Sequence, residues 1–158
     1  MKQHLLYITF IFFLFSCYKK NNLFQSYKSV KGHQWHYNEP IDFEFEFHDT
    51  DTAKYDIDIN LRHTGSFPYK NCWIWVHFTY PSGEKLSHRK ELELCNNLGE
   101  WYGKGLNNIF DVRNTILKQA NFHEKGKYKI SIEQNMRDNP LHEVLDVGLR
   151  IQKSPYSN

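Results

Sequence analysis

The strongest constraint in this sequence is a two-residue beat. Ile41, Phe43, Phe45 and Phe47 alternate with Asp42, Glu44 and Glu46, and Tyr55, Ile57, Ile59 and Leu61 alternate with Asp56, Asp58, Asn60 and Arg62. Side chains two apart share a face only in extended backbone, so each run predicts a β-strand with one apolar and one wet face. The turn-rich His48-Asp49-Thr50-Asp51-Thr52 between them predicts that the pair forms an antiparallel hairpin.

The same reading extends along the chain. Cys72 to Tyr80 is apolar on both faces, which predicts a central strand, and Pro81-Ser82-Gly83-Glu84 turns it back into a weaker strand over Lys85 to Leu94. Gly99, Gly103 and Gly105 around Trp101 and Tyr102 predict a loop or short strand with a packed indole. Leu106 to Phe122 fits either a helical face (Ile109, Val112, Ile116, Ala120) or a β-branched strand, and strand is the preferred reading. Alternation resumes at Tyr128, Ile130 and Ile132, breaks at Asn139-Pro140, and closes with Leu145, Val147, Leu149 and Ile151. The expected fold is all-β: an antiparallel β-sandwich or jelly roll of about seven to eight strands.

Composition supports this and narrows function. Ten Tyr, twelve Phe and four Trp in 158 residues enrich the types that strands and recognition surfaces favour. Formal net charge is +2, and removing residues 1–16 takes away Lys2 alone, so 19 basic side chains face 18 acidic ones. That balance supplies no field for a phosphate backbone, and nucleic acid is set aside as a partner.

The N-terminus reads differently from the rest. Lys2 precedes an apolar run from Leu5 to Phe15, followed by Ser16 and Cys17. Eleven residues at about 1.5 Å each cover roughly half a hydrocarbon core, too little to span it, so the run is an export signal. Leu14-Phe15-Ser16-Cys17 resembles a bacterial lipobox, and that resemblance makes Cys17 the lipidated first residue of the mature chain. The expected organisation is a signal segment at 1–16, lipidated Cys17 and a tether through residue 32, one β-sandwich domain over 33–153, and a tail at 154–158. Surface-exported lipoproteins of the Bacteroidetes often carry an acidic cluster after the lipidated Cys; none follows Cys17, and by that resemblance the periplasmic face of the outer membrane is expected.

Residues that can do chemistry are few. An oxidising envelope permits a disulfide between Cys72 and Cys95, although the turn at 81–84 puts Cys72 opposite about position 93. His33 and His36 point apart on extended backbone, and His48-Asp49-Thr50-Asp51 lacks the Gly and distal Glu of a calcium loop, so no metal is expected. Asp42, Glu44, Glu46, Asp56 and Asp58 follow strict alternation, as a wet sheet face does, and no nucleophile or phosphate-loop motif is present. Neither catalysis nor a cofactor is expected. Two polar segments remain, Asn60-Leu61-Arg62-His63-Thr64 and Glu133 to Pro140. Arg62, His63, Glu133, Arg137, Asp138, Asp146 and Arg150, with Phe67 and Tyr69, form either a structural polar network or a partner surface.

These segments carry a resemblance. Ile59-Asn60-Leu61-Arg62-His63-Thr64, Phe67-Pro68-Tyr69-Lys70-Asn71, Gly99 to Gly105, Glu133-Gln134-Asn135-Met136-Arg137 and Asp146 to Ile151 together resemble the GldH family, gliding-motility lipoproteins of the Bacteroidetes. The resemblance implies an envelope lipoprotein needed for gliding over surfaces, working with other gliding-motility envelope proteins and the machinery that secretes adhesins. It offers no catalytic residues to transfer. The expected role is a non-catalytic assembly or scaffold component that meets partners through the loops Phe67-Pro68-Tyr69 and Asn139-Pro140-Leu141-His142. The alternative is a carbohydrate- or ligand-binding module using Trp35, Trp73, Trp75 and Trp101.

Because several acyl chains at about 0.8 kcal/mol per buried methylene make an anchor effectively permanent, Cys17→Ser should move the protein from the sedimenting envelope fraction to the soluble fraction. Retention of the variant in the pellet after a salt wash would count against lipidation at Cys17.

Overall fold

Alternation fixes which face of a strand is apolar but not which strand lies beside it, and the architecture turns on that second choice. The computed structural model describes residues 22–48 and 53–155. The signal segment, Cys17, the start of the tether, the Asp49-Thr50-Asp51 turn and residues 156–158 lie outside the described residues. Eleven strands follow in chain order: β1 (Asn22–Ser29), β2 (Gln34–Trp35), β3 (Ile41–Phe47), β4 (Tyr55–Thr64), β5 (Asn71–Thr79), β6 (Lys85–Glu93), β7 (Lys104–Leu106), β8 (Ile109–Ala120), β9 (Gly126–Gln134), β10 (Leu141–His142) and β11 (Val144–Lys153). The ambiguous segment before Phe122 is a twelve-residue strand, β8.

One sheet has the order β1-β11-β4-β8-β7 and the other β3-β9-β5-β6, all antiparallel; β2 and β10 make a small clip. The long strands pair in nested fashion: β1 with β11, β3 with β9, β4 with β8, and β5 with β6 at the centre. Nested pairing rolled into two facing sheets is the jelly roll. It also overturns the expected β3–β4 hairpin, because β3 pairs with β9 and β4 with β11 and β8, so the two lie in different sheets. The β5–β6 hairpin forms as expected, and β5 is central. Residues 22–29, expected as tether, form the edge strand β1 instead.

The apolar faces meet between the sheets. Ile57, Ile59 and Leu61 of β4 and Val147, Leu149 and Ile151 of β11 face Phe43 and Phe45 of β3, Ile130 and Ile132 of β9, and Ile74 and Val76 of β5, all buried. Near one end Phe45, Phe47, Tyr55, Phe122 and Tyr128 interlock, with Phe47 and Phe122 stacked at 4.5 Å between centroids. Cys72 lies in this core and burial pushes its thiol up to about 12, so it stays protonated and unreactive. Both Cys72 and Cys95 are free, so the disulfide that the envelope permits is absent. The register explains why: Cys72 sits opposite Leu92, and Cys95 lies beyond the end of β6, bridged to Trp101.

The polar face of β4 departs from expectation. Asp56, Asp58 and Asn60 are buried rather than wet. Neighbouring strands supply partners row by row: Arg62 reaches Asp146 of β11 at 3.0 Å and Asp111 of β8 at 3.3 Å, Asn60 donates to Asp111, and Asp58 accepts from Thr115 and Arg150. Tyr27 of β1 lies across Gly148 of β11, donates its hydroxyl to Asp111 at 3.0 Å, and carries the Arg62 guanidinium 5.0 Å from its ring centre. A Cβ on Gly148 would come within 2.7 Å of that ring.

The apolar row of β4 ends on a histidine. His63 is fully buried among Trp101, Phe67 and Phe110, at 4.7, 5.2 and 5.8 Å between ring centroids. Its Nδ1 lies 2.7 Å from the Thr64 carbonyl, which fits a neutral ring donating there, and Nε2 has no partner among the described residues. Neither His63 nor Phe67 is therefore a surface residue, in contrast to the sequence reading.

Gly148→Ala should cost about 1–3 kcal/mol in denaturant unfolding, as overpacking does. Most of that cost should vanish in a Tyr27→Ala background; an equal cost in both backgrounds would mean that the ring is not what excludes the methyl. Burial, only partly opposed by the Thr64 carbonyl, holds His63 below its ordinary 6.5. Below pH 6.5 the unfolded chain then binds more protons than the folded one, so this contribution to stability is complete above pH 6.5 and is lost as pH falls towards the folded value. His63→Phe should flatten that part of the profile, whereas a wild-type melting temperature unchanged from about pH 7.5 to about pH 5.5 would contradict it.

Candidate functional site at the loop-bearing end

In a two-sheet antiparallel roll every connection falls at one of two ends. The start of β1, the end of β11 and the connections β3–β4, β5–β6 and β8–β9 share one end, where Ser154 donates to Lys54 and Ser82 to Glu124. The other end collects the connections β1–β3, β4–β5, β6–β8 and β9–β11, stitched by Val30 to Leu145, Thr64 to Glu143, Gly65 to Asn108 and Leu94 to Lys70. The Phe67-Pro68-Tyr69 and Asn139-Pro140-Leu141-His142 loops both lie there.

Between Tyr69 and the turn after β9 is a cleft of about 480 Å³ on the outer face of the four-stranded sheet, lined by none of residues 139–142. Its wall is Trp73, on the side of β5 opposite the buried Cys72, Ile74 and Val76. Arg89 of β6 lies over the Trp73 ring at 4.2 Å, and its Nε donates to Asn135 at 2.7 Å. The turn after β9 is shaped from inside. The buried Gln134 carboxamide donates to the Asp138 carbonyl at 3.0 Å and accepts the Met136 amide at 2.8 Å. The Asn135 amide donates to the Trp73 carbonyl at 2.7 Å, and the Trp73 amide donates to the Met136 sulfur at 3.1 Å. The rim holds Tyr69, whose hydroxyl donates to Asp138; that bond keeps the phenol above its usual range, because ionising it would set two anions together. Arg137 lines the same cleft, exposed, with no hydrogen bond or ion pair among the described residues.

The residues singled out from sequence thus separate into groups. Tyr69, Arg137 and Asp138 come together at the cleft. Arg62, Asp146 and Arg150 belong to the network on the outer face of the five-stranded sheet. Glu133 stands apart from both, 3.5 Å from His77. His63 and Phe67 pack beneath the loops as core. The four tryptophans share no platform: Trp35 is buried, Trp101 packs on His63, Trp73 lies under Arg89, and Trp75 stacks with His77. Trp73 as an outward wall and Arg89 as its cover were missed from sequence. The observed register sets Glu91 opposite Trp73 and Arg89 opposite Trp75, so Arg89 reaches the Trp73 ring along the diagonal, which counting from the turn does not give.

Comparison with known proteins agrees with the motifs that meet here. The family model described as GldH lipoprotein matches residues 22–151. A gliding motility lipoprotein GldH homolog of Christiangramia forsetii is 33% identical over 152 residues, covering 92% of each chain. The gliding motility lipoprotein GldH of Flavobacterium johnsoniae is 33% identical over 147 residues, covering 89% of each. Among solved structures, a serine protease of Aeromonas sobria overlays with a TM-score of 0.36 at 13% identity, covering 84% of this chain and 27% of that one, too slight a likeness to bear on function. The match of the family model across nearly all of the β domain, together with both full-length relatives, shows that this chain belongs to the GldH lipoprotein family.

Proposed function

We propose that this lipoprotein serves gliding motility as a non-catalytic docking component, held by lipid on Cys17 at the periplasmic face of the outer membrane and meeting envelope proteins through the cleft beside Tyr69 and Trp73. The names of its relatives support a role in gliding motility. The observation that carries the docking role is the separation of the two ends. Four residues separate Cys17 from Asn22, and those five Cα-to-Cα steps reach at most about 18 Å. β1 then runs from that end to the opposite one, and strands of eight to ten residues at about 3.3 Å each span roughly 26–33 Å. The anchor therefore sits under the end where β1 begins, and the cleft faces away from the leaflet that holds it.

The chemistry of the cleft suits recognition. Tryptophan, tyrosine and arginine are the residue types that carry binding energy at protein interfaces, and a methionine in the lining adapts to the shape of the occupant. Cells carrying Trp73→Ala with Tyr69→Ala should keep the protein in the envelope at normal level yet lose surface spreading and the crosslinks it makes to neighbouring envelope proteins. Full spreading by that strain would remove the cleft from the function.

A further inference from the structure

The cleft also specifies the charge of what enters it, an inference that rests on the docking role proposed above. We infer that it receives an acidic peptide segment of a partner protein, with a carboxylate seated between Arg89 and Arg137. Three observations lead there. Arg89 is fixed in place by Trp73 beneath it and by Asn135 at its Nε, while its two terminal nitrogens make no hydrogen bond among the described residues. Arg137, which lines the same cleft, is likewise without a hydrogen bond or ion pair among those residues. The acidic group in the lining, Asp138, is engaged by the Tyr69 hydroxyl.

A guanidinium presents parallel N–H donors that match a carboxylate, and one already held in place loses little freedom on binding. The cleft thus offers two cations with unused donors and one carboxylate whose proton donor is already present. The occupant that completes these bonds is an anion. A sugar is disfavoured by the same geometry, because the Trp73 face on which a pyranose would stack is covered by Arg89 at 4.2 Å. Met136 in the lining gives a side chain beside the carboxylate an apolar, adaptable surface.

The test uses the full-length lipoprotein in detergent micelles and calorimetric titration with three probes: a blocked peptide of alternating Glu and Ala, its Lys counterpart, and oligogalacturonate as an acidic sugar. The Glu peptide should bind saturably, weakening as salt rises from about 50 to about 500 mM, while the Lys peptide and the sugar should not bind. Arg137→Glu should weaken binding at least tenfold, and Arg137→Gln somewhat less. Lys118→Glu, which makes the same charge change on β8 near the anchor end, should leave it within about twofold. Circular dichroism melts confirm that each variant is folded. No binding of the Glu peptide, equal binding of oligogalacturonate, or equal losses from Arg137→Glu and Lys118→Glu would each overturn the inference. If the peptide fails while the Trp73 and Tyr69 strain still loses spreading, the acidic occupant is wrong and the docking role stands.

Discussion

β4 is the strand on which the rest of this molecule depends, because it is buried on both faces while only one of them is apolar. Ile57, Ile59 and Leu61 need the opposing sheet; Asp56, Asp58, Asn60 and Arg62 need partners of their own, since a buried charge without one is costly. β11 and β8, on either side, provide them. The Asp58 carboxylate is 2% exposed and lies 3.4 Å from Arg150, and Arg62 divides its donors between Asp146 and Asp111. Removing one member of such a pair strands the other, typically at 3–5 kcal/mol, whereas the intact pair adds little net stability. Its effect is on register. A slip of one residue would turn the charges into the core and leave every carboxylate of this face without its arginine.

Most of the strand inventory was legible for the same reason that β4 is informative. Alternation located β3, β4, β9 and β11, and turn chemistry at 81–84 located the β5–β6 hairpin. Alternation is silent about neighbours, so β3 and β4 read as a hairpin although the segment between them crosses from one sheet to the other. β1 was missed because Asn22 to Ser29 lies on a sheet edge, where polar residues are tolerated and the pattern is diluted by outward contacts such as Ser29 with Asp146. The burial of His63 was in the pattern all along: it continues the inward row 55, 57, 59, 61, and only its polarity argued for the surface.

The motifs that resemble the family divide between two tasks. Arg62, Asp146 and Arg150 tie the five-stranded sheet together through its outer face, and Gly148 belongs with them because its missing side chain admits the Tyr27 ring. Glu133 to Pro140 and Tyr69 build the cleft, with Gln134 holding the turn from beneath. Sequence alone could not separate the tasks, since both sets are charged residues at or near strand ends. What distinguishes them is the neighbouring strand: an arginine beside β11 and β8 meets carboxylates across the sheet, whereas Arg137 lies in a turn at the sheet's end and pairs with none among the described residues.

Nested pairing gives that difference its functional direction. The chain enters the roll through β1, the outermost partner, so the entry point and the ends of β11 and β8 fall together, and the β9–β11 and β4–β5 connections fall opposite. In the proposed arrangement, a lipid at Cys17 would put the membrane at the end of the sandwich where β1 begins. The cleft stands about a strand's length beyond it. The topology sends the β4–β5 and β9–β11 connections to the end opposite the start of β1, and that separation is what the proposed docking role uses.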